Sequence, residues 1–78
     1  MREARREAAW IKAAERLVTL PGFPPGRAEL VGSKLADAFV IIFPFDTKEE
    51  RDKKLRMRAE ARQWLREEIE SRLPIRLP

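Results

Sequence analysis

Ala38-Phe39-Val40-Ile41-Ile42-Phe43-Pro44-Phe45 is the long uncharged apolar run of a 78-residue chain. A run of this length fits a strand better than a helix and falls far short of the ~20 residues a membrane span needs. In extended backbone Phe39, Ile41, Phe43 and Phe45 point to one side, and Ala38, Val40 and Ile42 to the other. Both sides are apolar, so both call for cover. Pro44 cannot donate to a ladder, so the strand ends or meets an edge there. On this reading a carboxylate at Ile41 (I41D) abolishes folding, because it would be buried without a partner.

Working outward on the amino-terminal side, Arg27-Ala28-Glu29-Leu30-Val31-Gly32 is the candidate for a second, weaker strand. Gly32 suggests a bulge or turn in it. Residues 33–37 then link the two strands as a hairpin-like loop; a short helix over 27–36 is the alternative for the same residues. Pro21-Gly22-Phe23-Pro24-Pro25-Gly26 carries turn chemistry throughout and reads as a rigid loop, with Phe23 plugging the edge of the core.

Residues 2–19 are rich in Ala, have no internal Gly or Pro, and predict a helix. At about 100° per residue, Trp10, Ile11, Ala14, Leu17 and Val18 share a sector of about 120°. Arg2, Arg5, Arg6, Lys12 and Arg16 share a similar sector nearly opposite, while Glu3, Glu7 and Glu15 fall outside it. The helix thus has an apolar face for the core, with Trp10 in it, and a basic back.

On the carboxyl-terminal side Thr47 and Glu50 stand at capping-box spacing. They open a helix predicted over 47–72, which stops before Pro74. Acid-first i,i+4 pairs such as Glu49–Lys53 and Glu68–Arg72 support it. Leu55, Leu65 and Ile69 lie to one side, with Met57 and Trp64 pointing elsewhere. At 1.5 Å per residue this helix is ~39 Å long, more than a small globule needs. Excess length and spread apolar positions suggest contact with two surfaces, one of them a neighbouring chain.

Composition excludes more than it selects. There is no Cys, His or Tyr, which removes disulfides, thiolate zinc sites and the commonest general base. The chain reads as non-enzymatic, with no cofactor and no metal. Asp37 and Asp46 flank the extended run and are too far apart to share an ion within one chain. A metal-dependent nuclease using Glu29, Asp37 and Asp46 would need carboxylates from a second chain. Gly26 with Gly32-Ser33-Lys34 does not match a phosphate loop, having the wrong spacing and order. No apolar leader follows the basic start, so a cytoplasmic location is expected, with no membrane partner.

The balance of 17 basic and 13 acidic residues gives a net charge of +4, which permits an acidic partner without requiring one. Lys48, Arg51, Lys54, Arg58, Arg62 and Arg66 recur every three or four residues as a basic stripe. With Arg5, Lys12 and Arg16 they form the candidate phosphate-binding set for DNA or RNA. Leu55, Leu65 and Ile69 share the stripe's sector, so part of it is expected to face protein, with Arg stems over apolar surface. Phe39, Ile41, Phe43, Met57 and Trp64 are the candidate interface residues. The expected fold is α+β: helix, short β-hairpin with one strong and one weak strand, long helix. Two strands make a poor sheet alone, so a homodimer is expected to complete it. The leading functional reading is a small basic protein that binds nucleic acid as part of a regulator. Its alternative is a protein-interaction subunit of a larger assembly.

Overall fold

The computed structural model describes the backbone of residues 2–78 and side chains from residue 4 onward. The sectors read for the Arg2 and Glu3 side chains lie outside the described residues. Helix α1 spans Arg2–Val18, α2 spans Pro25–Ala38 and α3 spans Lys48–Glu70. Among the described residues there is no strand. The α+β expectation, with its hairpin over 27–32 and 38–45, is therefore corrected to an all-helical fold.

The reason lies in residues 25–38. Pro24 is extended and precedes Pro25 in the first turn of α2, where a missing N–H costs nothing and φ is already helical. Ala28, Val31, Leu35 and Ala38 recur at helical spacing. Val31 and Ala38 are buried, and Ala28 and Leu35 half-buried. Gly32 lies within the helix rather than at a bulge, and a Cβ built on it would meet nothing within 4 Å. With these residues helical, the apolar run has no strand to pair with. Between the end of α2 and the turn at Phe43–Asp46, residues 40–43 form no regular element, and the alternation of period two survives only there. Ile41, Phe43 and Phe45 face solvent, while Val40 and Ile42 are half-buried. The edge-pairing argument for a dimer loses its basis with the hairpin.

The turn before α2 is set by Leu20-Pro21-Gly22-Phe23. The Phe23 N–H donates to the Leu20 carbonyl at 3.0 Å, and Gly22 sits at φ +79°. Pro followed by a positive-φ Gly is the signature of a type II turn. It reverses the chain so that α2 crosses back toward α1 and α3. Thr47 caps α3: its hydroxyl accepts the Glu50 N–H at 3.1 Å, and the Glu50 carboxylate accepts the Thr47 N–H at 3.4 Å.

The core gathers where the three helices meet. Leu17, Val31, Leu65 and Ile69 are its largest fully buried side chains, joined by Trp10, Ala13, Ala14, Ala38 and Ala61. The Trp10 ring meets Phe39 edge-on, 6.1 Å between centroids. The chain after α3 also enters the core: Leu73 and Leu77 are buried. Arg66 donates to the Leu77 and Pro78 carbonyls at 2.9 and 3.1 Å, and Glu70 accepts the Leu77 N–H at 2.8 Å. A second clamp ties α2 to α3. The Arg27 guanidinium pairs with both oxygens of buried Glu68, which also accepts from Arg72 at 2.6 Å. Within α3 the buried positions are Ala61, Leu65, Glu68 and Ile69, all in its second half. The first half, with Leu55 exposed, extends beyond this core.

Three substitutions check this arrangement by chemical denaturation. Leu65→Ala is expected to cost about 2–5 kcal/mol, the usual range for a truncated core leucine. Ile41→Asp, at a residue 64% exposed, is expected to stay within ~0.5 kcal/mol and to leave the fold intact. Gly32→Ala is expected to stabilise by roughly 0.5–1 kcal/mol, since it adds a helix-favouring residue in open space. An unfolded Ile41→Asp chain would contradict the exposure of Ile41, and a destabilised Gly32→Ala chain would contradict an open helical position at Gly32.

Candidate interaction site

The carboxyl end of α2 and the irregular segment after it leave carbonyl and N–H groups in need of partners. Here α3 supplies them from Lys54 and Arg62, eight residues apart, which project toward the same segment. Arg62 donates through Nε to the Ala38 carbonyl at 2.9 Å. Lys54 donates through Nζ to the Ile41 carbonyl at 3.0 Å and to Asp46 Oδ2 at 2.8 Å. The same cations lie over the aromatic rings: Lys54 over Phe43 at 4.7 Å, Arg62 over Phe39 at 4.6 Å and Arg66 over Trp10 at 5.3 Å. Such contacts suit long cations that cover apolar surface with their stems.

Half of the stripe read as a phosphate-binding surface is thus engaged within the chain. Lys54, Arg62 and Arg66 are committed to the chain's own carbonyls and rings, and Arg58 is half-buried in the same row. Lys48 and Arg51 are exposed at its start. On α1, Arg5, Lys12 and Arg16 are all exposed, and they lie on a different helix from the stripe. The structure therefore does not gather the nine cations into one continuous face.

The interface candidates also separate. Phe39 is half-buried against Trp10, and Met57 is half-buried on α3. Trp64 is half-buried, with Arg27 and Lys34 near its ring at 5.8 and 6.0 Å. Ile41 and Phe43 are exposed, and Phe45 is the most exposed large apolar residue at 79%. Phe45 was missed as a site residue, although it completes the odd-numbered row of the apolar run.

Phe43-Pro44-Phe45-Asp46 forms a closed turn. The Asp46 N–H donates to the Phe43 carbonyl at 3.1 Å, and the Phe43 N–H donates to Asp46 Oδ2 at 2.8 Å. Pro44 occupies the turn's second position, where its fixed φ is favourable. Phe43 and Phe45 stack with centroids 4.9 Å apart and planes 9° from parallel. Asp46 is buried although its neighbours are not. The hydrogen bond from Lys54 holds its carboxyl below the ordinary aspartate range, helped by the Phe43 N–H and the nearby charge of Arg51, and opposed by burial. The turn is fixed from inside by polar groups and displays apolar groups outward.

Two depressions lie elsewhere on the surface. A cleft of about 220 Å³ between α1 and α2, lined by Ile11, Val18, Val31 and Leu35, is apolar apart from Glu15 at its edge. A shallow depression beside Trp64 is bounded by Glu60, Gln63 and Glu67 on α3 alone. Neither converges polar groups on a point, as a small-molecule site does. Among the described residues no group of three or more acidic side chains is placed to hold a metal ion. Among them, too, no helix is long and apolar enough to cross a membrane.

The brace predicts an acid response confined to the turn. Asp46 is charged more readily here than in the unfolded chain, so its contribution is complete above the ordinary value of about 3.9. It is lost as pH falls through the lowered value. In amide spectra followed by NMR, the Phe43 N–H should titrate in that acid range and lose protection from exchange. In Asp46→Asn the acid titration of Phe43 should vanish while the helical core persists. A Phe43 amide indifferent to both changes would mean that Asp46 does not hold the turn.

No family model matches the chain, and no curated protein or solved structure is similar to it.

Proposed function

We propose that this chain is a non-catalytic protein-interaction subunit that docks through the turn at Phe43–Phe45. The supporting observation is a contrast within one turn: Asp46 is buried and paired with Lys54, while Phe45 is 79% exposed. Hydrophobic burial alone would turn the aromatic side chains inward. A fixed turn that shows them to solvent forgoes that gain and is already ordered for a partner, which lowers the entropy cost of binding. Phe and Arg are also among the residue types enriched at protein interfaces, and Phe45 and Arg51 are both exposed here.

A second reading, nucleic-acid binding as part of a regulator, rests on the exposed back of α1 alone. Arg5, Lys12 and Arg16 remain available there for phosphates, whereas much of the α3 stripe serves the fold. Its measure is salt: changing these three to Gln should lower the salt slope of duplex affinity by up to roughly three units, about one per lost contact. A wild-type chain without salt-sensitive binding to DNA or RNA at low ionic strength removes this reading.

The docking reading is tested by placing a photo-crosslinking phenylalanine analogue at Phe45, and at exposed Ala8 as a control, in cells of the native host. A discrete protein adduct from position 45 and not from position 8 is expected. Adducts to nucleic acid, or the same products from both positions, would refute it.

A further inference from the structure

The apolar turn has a charge environment that narrows its occupant. Lys54 Nζ lies 4.7 Å from the Phe43 ring centroid. Arg51 is close enough to Asp46 to depress its pKa through space, and it is exposed, as is Lys48 in the first turn of α3. At about 100° per residue, Lys48, Arg51 and Leu55 lie within roughly 60° of one another on the helix. Leu55 is itself 47% exposed. Of the acids in these turns, Glu50 is occupied by the capping box, Glu49 lies about 100° or more around the helix from Lys48, and Asp52 lies about 40° from Lys48 and about 100° from Arg51, so that Arg51 keeps the side of the sector away from it. Asp46, the acid inside the turn, is already paired with Lys54.

On the docking reading above, we infer that the occupant is an acidic segment of another protein, with aliphatic or aromatic side chains for Ile41, Phe45 and Leu55 and carboxylates for Lys48 and Arg51. The aromatic pair is poorly suited to nucleic-acid bases. Phe43 has Phe45 stacked on it and Lys54 near its ring, so the pair offers one outer face, on Phe45, where strand binding uses successive aromatic platforms. Ile41 and Leu55, the other exposed groups, are aliphatic. A second copy of the chain is also disfavoured, because each copy carries a net charge of +4 and its own Lys48 and Arg51 beside the patch. Opposite charge on the partner turns these cations into determinants of partner choice.

The test is a random-peptide display selection on the intact chain, run in parallel on three proteins: wild type, Phe45→Ser, and Lys48→Glu with Arg51→Glu. All three changes are at exposed positions, and a thermal melt confirms that each protein is folded. Wild type is expected to enrich peptides combining apolar residues with Asp and Glu. Phe45→Ser should reduce the affinity of those peptides at least tenfold, and the double reversal should switch enrichment toward Lys and Arg. Peptides that depend on Phe45 but carry no acidic bias would overturn the inferred chemistry and leave the docking turn standing. Enrichment indifferent to Phe45→Ser, or no enrichment at all, would overturn both. Sedimentation of the chain alone supplies the remaining outcome: a dimer abolished by Phe45→Ser would make the occupant a second copy and refute the acidic partner.

Discussion

The backbone that follows α2 has no strand to pair with, and the structure depends on how that deficit is met. Buried or half-buried peptide groups without partners cost about as much as a lost hydrogen bond each. The long cations of α3 reach sideways to the Ala38 carbonyl at the end of α2 and to the exposed Ile41 carbonyl, while Asp46 takes the Phe43 N–H. Arg66 extends the same device to the chain after α3, bonding the Leu77 carbonyl. Each cation does two jobs, since its charged end satisfies polar backbone and also lies near an aromatic ring. The segment is therefore held against α3 without a sheet.

This device has a consequence for how charge is distributed. Lys54, Arg62 and Arg66 add to the net positive balance, yet their charges are turned toward the protein. Carboxylates that meet such cations are held in the charged form. The Arg27 hydrogen bond lowers the pKa of Glu68, with Arg72 adding to it, and the Leu77 N–H and Arg66 lower that of Glu70. What stays outward is a smaller set: the back of α1, and Lys48 and Arg51 beside the exposed turn. The polar interior of the turn and its apolar exterior are one construction, because fixing Asp46 and Lys54 inside leaves Phe43 and Phe45 facing out.

Much of the helical content is legible from residues alone. The apolar sector of α1 and the Thr47–Glu50 box of α3 each have a local cause that acts whatever the rest of the chain does. Helix α2 was harder, because Pro24-Pro25-Gly26 carries turn chemistry and Gly32 breaks the pattern. Its signal was the row Ala28, Val31, Leu35 and Ala38, which fits a helical period and no strand period. The apolar run illustrates a different limit. Alternation separates half-buried from exposed side chains over residues 40–43, but a strand also needs a partner, and no local pattern reveals that none is present among the described residues. The cationic stripe had its own warning in Leu55, Leu65 and Ile69, which share its sector; Leu65 and Ile69 prove to be fully buried. Phe45, the most exposed of the large apolar residues, was hidden because it belongs to a run that reads as core.

The substitution of side-chain cations for a paired strand is tested most directly by proton–proton contacts in solution NMR of the intact chain. The account predicts helical contacts through residues 25–38, and contacts from the Phe43 ring to the Lys54 side chain and from Phe39 to Trp10 and Arg62. Cross-strand backbone contacts between residues 27–32 and 38–45, with the Lys54 side chain free of Phe43, would contradict it.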